Sequence, residues 1–219
     1  MKAWLDKLTE TFLTSGYYQL MLEGLGNTVI ITLGALVIGV VIGALIATVK
    51  YLAEDNRALA PAAWLCDAYV KIIRGIPVVV LLLIFYFVIF TSSEGVEVAV
   101  LTFGVNSGAY MAELIRGGIH AVDQGQMEAG RSLGLSRLQT MERIIFPQAL
   151  RHILPAIGNE FIALIKETSV AGYVAVVDVT RAGNLVRNNT YDAVNSLMLV
   201  ALTYLTLVLA LTAVLERFE

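Results

Sequence analysis

Charged and amide side chains are scarce in this sequence, which makes those inside apolar stretches informative. Asn106, Ser107 and Glu113 lie within the apolar run 96–115, and Asn159 and Glu160 within 153–177. A polar group in hydrocarbon is costly unless it faces the interior of a helix bundle, so each is a functional candidate by default. The chemistry available is recognition rather than bond-making. A carboxylate can pair with an ammonium group, and an amide can serve either end of a zwitterion. Glu160 with Asn159 is therefore the leading candidate for contacting a polar solute, with Asn106 and Ser107 completing a pocket. Interhelical bonding is the structural alternative for Glu160. For Glu113 the alternative is an intrahelical pair with Arg116, three residues on. Cys66 is the one cysteine, and His120 and His152 fall in separate segments. No disulfide within the chain and no cysteine-built metal site is expected.

The longest polar constellation is residues 123–147, DQGQMEAGRSLGLSRLQTMERIIFP, whose local signals spell two short helices. Asp123 can cap the first, with Gln126 three residues on; Gly134 is placed to end it; Ser136 and Gln139 repeat the spacing for a second. In that second helix Leu138, Met141 and Ile145 fall near one face, while Arg137, Glu142 and Arg143 fall elsewhere. Pro147 is expected to end or kink it. A helix pair polar enough to face water and tethered between two apolar segments suits a groove on a soluble partner. An ordinary interfacial loop helix is the plain alternative.

The elements that must position these groups read as membrane spans. The chain is 58% hydrophobic and 15% charged, with a mean hydropathy of +0.76, outside the usual range of a soluble domain. A soluble helical fold would have to bury the uninterrupted apolar stretch 28–49. Runs able to cross roughly 30 Å of hydrocarbon number about five: 24–49, 77–90 with an apolar lead-in from Ala60, 96–115, 153–177 and 195–215. Lys50, Arg57, Lys71 and Arg74 follow the first run, and Arg116, Arg131, Arg137, Arg143 and Arg151 follow the third. Those two segments should be cytoplasmic, which puts the amino terminus outside and the carboxyl terminus inside. Residues 1–23 read as an amphipathic segment on the outer membrane surface, and 24–219 as the transmembrane domain, with 123–150 as its cytoplasmic segment. Gly39-x-x-x-Gly43 is either a close-packing face or membrane-helix background. A net charge of -3 with no basic block gives no reason to expect nucleic acid as a partner.

Glu128-Ala129-Gly130, three residues, Gly134, nine residues and then Ile144-Ile145-Phe146-Pro147 resembles the E-A-A motif of ATP-binding-cassette importer permeases. Two positions depart from it: Gly130, where the pattern has alanine and where glycine should loosen the helix, and Phe146, where it has leucine. The runs 24–28, 74–77, 109–113 and 154–160 look like the polar amino acid branch of that family. The resemblance implies an all-α, polytopic membrane protein of the type I importer class, with a MetI-like core of about five transmembrane helices. It implies a cytoplasmic coupling helix between spans three and four, in which Glu128, Ala129, Gly130, Ser132, Leu133 and Gly134 meet the ATPase. It further implies a bacterial inner membrane location and four kinds of company: two ATP-binding subunits, a second permease copy or close paralogue, an extracytoplasmic amino acid-binding protein, and lipid. The chain should be no enzyme and hold no cofactor. ATP and magnesium belong on the partner, in keeping with the lack of a G-x-x-x-x-G-K-S/T loop. The expected cargo is a polar amino acid, basic ones included. The rivals are the same architecture carrying another small solute, and an ATP-independent channel or carrier, which would leave residues 123–147 unexplained.

Overall fold

The structure, a computed structural model, describes residues 16–217, and among them every regular element is helical. The part of the expected surface segment at 1–15 lies outside the described residues. The helices are α1 (Tyr17–Ala53), α2 (Ala60–Gly75), α3 (Val78–Ile84), α4 (Gly95–His120), α5 (Gln124–Ser132), α6 (Arg137–Thr140), α7 (Phe146–Glu167), α8 (Val179–Thr190) and α9 (Ala193–Leu215). Residues 17–23 form the opening turns of α1.

Among the described residues three helices, α1, α4 and α9, are long and apolar enough to cross a membrane, and the interrupted pair Arg57–Gly75 and Val78–Ile89 passes the same test when taken together. The interruption has a local cause. Ile76 precedes a proline and is driven out of the helical region, to φ -107° and ψ 130°. Pro77, with no N–H to give, then serves as the residue before α3. The run 153–177 is α-helical only to Glu167 and continues as a 3-10 helix, Thr168–Val174. At 37 residues α1 is roughly 55 Å long, at about 1.5 Å per residue, so its ends outrun the hydrocarbon.

The described chain divides into two compact units. The first comprises residues 16–35, 77–103 and 162–217 and is organised around a buried acid. Asp178 caps α8, accepting from the N–H groups of Thr180 at 2.9 Å and Arg181 at 3.0 Å, and from the Tyr204 hydroxyl at 3.3 Å. Burial pushes its carboxyl above the usual range, and those donors oppose the rise. The opening of α1 is locked to the same spot. A Cβ on Gly24 would stand 2.7 Å from the Asp178 carbonyl oxygen, and Asn27 Nδ2 donates to the Val177 carbonyl at 2.9 Å. Met21, Val179, Ala182, Val186 and Val200 form the core of this unit.

The second unit comprises residues 36–76 and 104–161. Here α1 and α4 approach through reciprocal glycines. A Cβ on Gly39 would lie 2.7 Å from Ser107 Oγ, and one on Gly104 would lie 2.7 Å from Ile38. Gly43 faces Met111 and Gly108 faces Ile42 in the same manner. Gly39-x-x-x-Gly43 is thus a packing face, and Gly104-x-x-x-Gly108 on α4 is its counterpart, which the sequence reading did not single out. The Tyr69 hydroxyl donates to the Val105 carbonyl at 2.5 Å, tying α2 to α4, and Lys50 pairs with Asp67 at 2.6 Å, tying α1 to α2.

Candidate functional site

The polar segment 123–147 folds as the hairpin its caps foretold. Asp123 accepts from Gly125 N–H at 2.7 Å to open α5. At the other end Gly134 adopts φ +83°, its N–H donating to Arg131 O at 3.0 Å while Leu135 N–H donates to Gly130 O at 3.2 Å. This crossed pair satisfies the last carbonyls of α5, and glycine takes the left-handed conformation at no steric cost. Ser136 and Gln139 then close a reciprocal capping box on α6, at 3.2 Å and 2.8 Å.

Two expectations for this hairpin are corrected. Pro147 does not end the second helix: α6 passes through a π-helical turn, Met141–Ile145, directly into α7. The Phe146 N–H reaches back to Met141 O. The wide turn makes room for a ring that would otherwise strike the carbonyl four residues earlier. The same extra residue rotates the face, so Ile145 is buried while Leu138 is 60% exposed rather than beside it. Gly130 makes a close contact of its own. It is buried against α6, where a Cβ would stand 2.9 Å from Thr140 Oγ1 and 3.2 Å from Ile144 Cδ1. The hairpin rests on a core of Ile115, Val122, Ile145, Ala149 and Ile153, and leaves Glu128, Ala129, Ser132, Leu133 and Gly134 exposed, Leu133 at 80%.

Of the membrane-level candidates, Ser107 and Glu160 meet. Ser107 Oγ donates to Glu160 Oε1 at 3.2 Å, joining α4 to α7. Ser107 and its neighbour Asn106 are buried, Glu160 is half-buried, and Asn159 turns to an exposed face of α7. Glu113 takes the ion pair that was its alternative. Its Oε2 lies 2.8 Å from Arg116 Nη2 and 4.0 Å from Arg74 Nη1, and the Arg74 guanidinium sits 5.1 Å from the Tyr110 ring centroid. Sequence reasoning missed Arg137 as anything but a polar-face residue. In the structure its guanidinium donates to both Glu54 and Asp55 and lies 4.9 Å from the Tyr51 ring centroid. Those acids are 83 and 82 residues away in sequence, so no local spacing announces the contact.

Several known proteins are similar to this chain. A family profile described as binding-protein-dependent transport system inner membrane component matches residues 39–219. The probable glutamine ABC transporter permease protein GlnM of Bacillus subtilis (strain 168) is 34% identical over 198 residues, 89% of this chain and 89% of that one. The arginine transport system permease protein ArtQ of the same organism is 34% identical over 203 residues, 91% of this chain and 90% of that one. A solved structure described as an amino acid ABC transporter with histidines superposes with a TM-score of 0.86 at 34% identity, covering 94% of this chain and 95% of that chain.

Proposed function

Because the chain belongs to the family of binding-protein-dependent transport system inner membrane components, we propose that its hairpin docks an ATP-binding subunit and its α4–α7 polar pair meets the cargo. The chain is the membrane permease subunit of an importer for polar amino acids and not itself an enzyme. Nucleotide and magnesium are assigned to the partner.

The observation that carries the docking reading is the tip of the hairpin. Its conformation is fixed by three caps, yet Leu133 is left 80% exposed between the exposed Ser132 and Gly134. Rigid backbone with an unpaired apolar side chain is what a helix-in-groove contact requires. In this reading ATP binding moves the partner, the hairpin follows, and α7, with which α6 is continuous, carries the motion into the membrane. Glu160 and Ser107 receive the ammonium group of the amino acid, with Asn106 and Asn159 as further polar contacts. Glu113 belongs to the cytoplasmic end of the pathway, held there by Arg116 and Arg74. The assembly contains a second permease copy or paralogue, two ATP-binding subunits and an extracytoplasmic binding protein. The amino terminus is outside and the carboxyl terminus inside, following the basic residues that flank the spans.

The test is purification of the tagged chain from its native membrane, followed by ATPase assay of the recovered complex with a panel of amino acids and the binding protein. An associated ATPase stimulated by one class of amino acid is expected. A chain that purifies alone and conducts without ATP would overturn the reading. Leu133→Asp should detach the ATPase while leaving the membrane helices folded.

A further inference from the structure

The hairpin is joined covalently to α4 through residues 121–123 and to α7 through the π-helical turn. No covalent link reaches α1, yet α1 packs along α4 through the reciprocal glycines, so any motion of the bundle must involve it. Ala47 of α1 packs against the hairpin's core, and Arg137 adds a polar connection to that apolar one. It is the first residue of α6, immediately after the Ser136 cap. Its guanidinium donates to Glu54 and Asp55 and covers the face of Tyr51. Tyr51 lies in the last turn of α1, and the two acids follow it directly.

The charges at that site make sense only with the cation present. Acidic side chains at a helix C-terminus face the negative end of the macrodipole, an unfavourable arrangement. A guanidinium placed among them reverses the sign of the interaction. An isolated exposed ion pair contributes little, but here one planar fork serves two carboxylates and stacks on an aromatic ring, which is a network. A lysine could pair but could not bridge and stack together. Lys50, one residue before Tyr51, pairs in turn with Asp67 on α2, so the same end of α1 is held to two elements of its unit.

We infer that Arg137 is a positioning residue, clamping the coupling hairpin to the cytoplasmic end of α1 so that the two move as one body during the transport cycle. This rests on the docking reading above. The clamp makes α1 a third driven element beside α4 and α7.

The experiment uses the complete transporter with its ATPase and binding protein in proteoliposomes, reading amino acid imported per ATP hydrolysed. Arg137→Gln should lower that ratio at least about fivefold, the low end of a typical coupling free energy, with the ATPase still bound. Arg137→Lys should recover only part of the loss. A second variant, Asp55→Cys with Arg137→Cys on a Cys66→Ser background, is then bridged by a short bifunctional methanethiosulfonate and released by reductant. Bridging should restore the ratio, because it replaces the clamp without immobilising it against anything else. An unchanged ratio in Arg137→Gln, or transport arrested by the bridge, overturns the inference even if docking stands. If Arg137→Gln fails to assemble, the bridged pair decides. A wild-type chain that retains no ATPase sinks the docking reading itself, and the clamp with it.

Discussion

Asp178 and Glu160 are both drawn away from bulk water, and they are treated differently. Asp178, in the first unit, is fully buried and accepts from two backbone N–H groups and a tyrosine hydroxyl. Glu160, in the second unit, is half-buried and meets the Ser107 hydroxyl at 3.2 Å. Backbone donors are fixed by the helix they open and cannot leave, so Asp178 is committed to holding α1, α8 and α9 together. A single serine rotor can turn away at little cost. A carboxylate kept in place by such a donor retains lone pairs for a visiting ammonium group, whereas one saturated by the fold does not. The contrast separates an acid that builds the scaffold from one that can exchange partners.

Glu160→Gln is the sharpest way to break that contrast. Loss of one charge-assisted contact, about 1.5–3 kcal/mol, should slow amino acid uptake roughly ten- to a hundredfold in proteoliposomes. The amount of assembled complex should not change; uptake at the wild-type rate would return Glu160 to the scaffold. Asp178→Ala should do the reverse. It removes a cap and one partner of the Tyr204 hydroxyl, which keeps Thr180 Oγ1 at 3.2 Å, costing about 1–3 kcal/mol of stability, visible as a lower melting temperature in detergent. The cargo preference of the surviving folded fraction should match wild type. Ser107→Ala should have a smaller effect, a shift in apparent cargo affinity of roughly two- to tenfold from about 0.5–1.5 kcal/mol. A melting temperature lowered as much as in Asp178→Ala would mean that the Ser107 bond is structural after all.

The smallest effect concerns pH. The folded-state pKa of Asp178 is raised by burial, so the native protein holds that proton more tightly than the unfolded chain does. Its contribution to stability is full below the ordinary carboxylate pKa and is lost as pH rises through the elevated value. Melting temperature measured across that interval should fall with rising pH in the wild type, and Asp178→Asn should flatten the slope. An unaltered slope would move the titration to another group.

Much of this molecule was legible from sequence because the governing signals are local. Apolar runs mark α1, α4 and α9; Pro77 marks the break before α3; Asp123, Gly134, Ser136 and Gln139 mark the caps of the hairpin, although Asp123 accepts from Gly125 N–H and Gln126 meets Gln148 instead of closing a box. These work because a cap or a proline acts on backbone groups within about four residues of itself. The same locality explains the misreadings. The π-helical turn at Met141–Ile145 is one extra residue whose benefit lies in accommodating Pro147 and burying Ile145, so a 3.6-residue period misplaced Leu138. The contact of Gly130 with Thr140 is likewise invisible to local spacing.

The sequence by itself determined that the chain is helical and built for lipid, where its helices break, and where its water-facing hairpin begins and ends. Composition and short-range hydrogen bonding are properties of the chain before it folds. Only the tertiary structure decided which distant polar groups meet: Ser107 with Glu160, Glu113 with Arg74, Asp178 with Tyr204, and Arg137 with Tyr51, Glu54 and Asp55. These partners lie tens of residues apart, and their encounter depends on how closely helices pack. That closeness is set by glycines and side-chain volumes on facing helices, which no one segment contains.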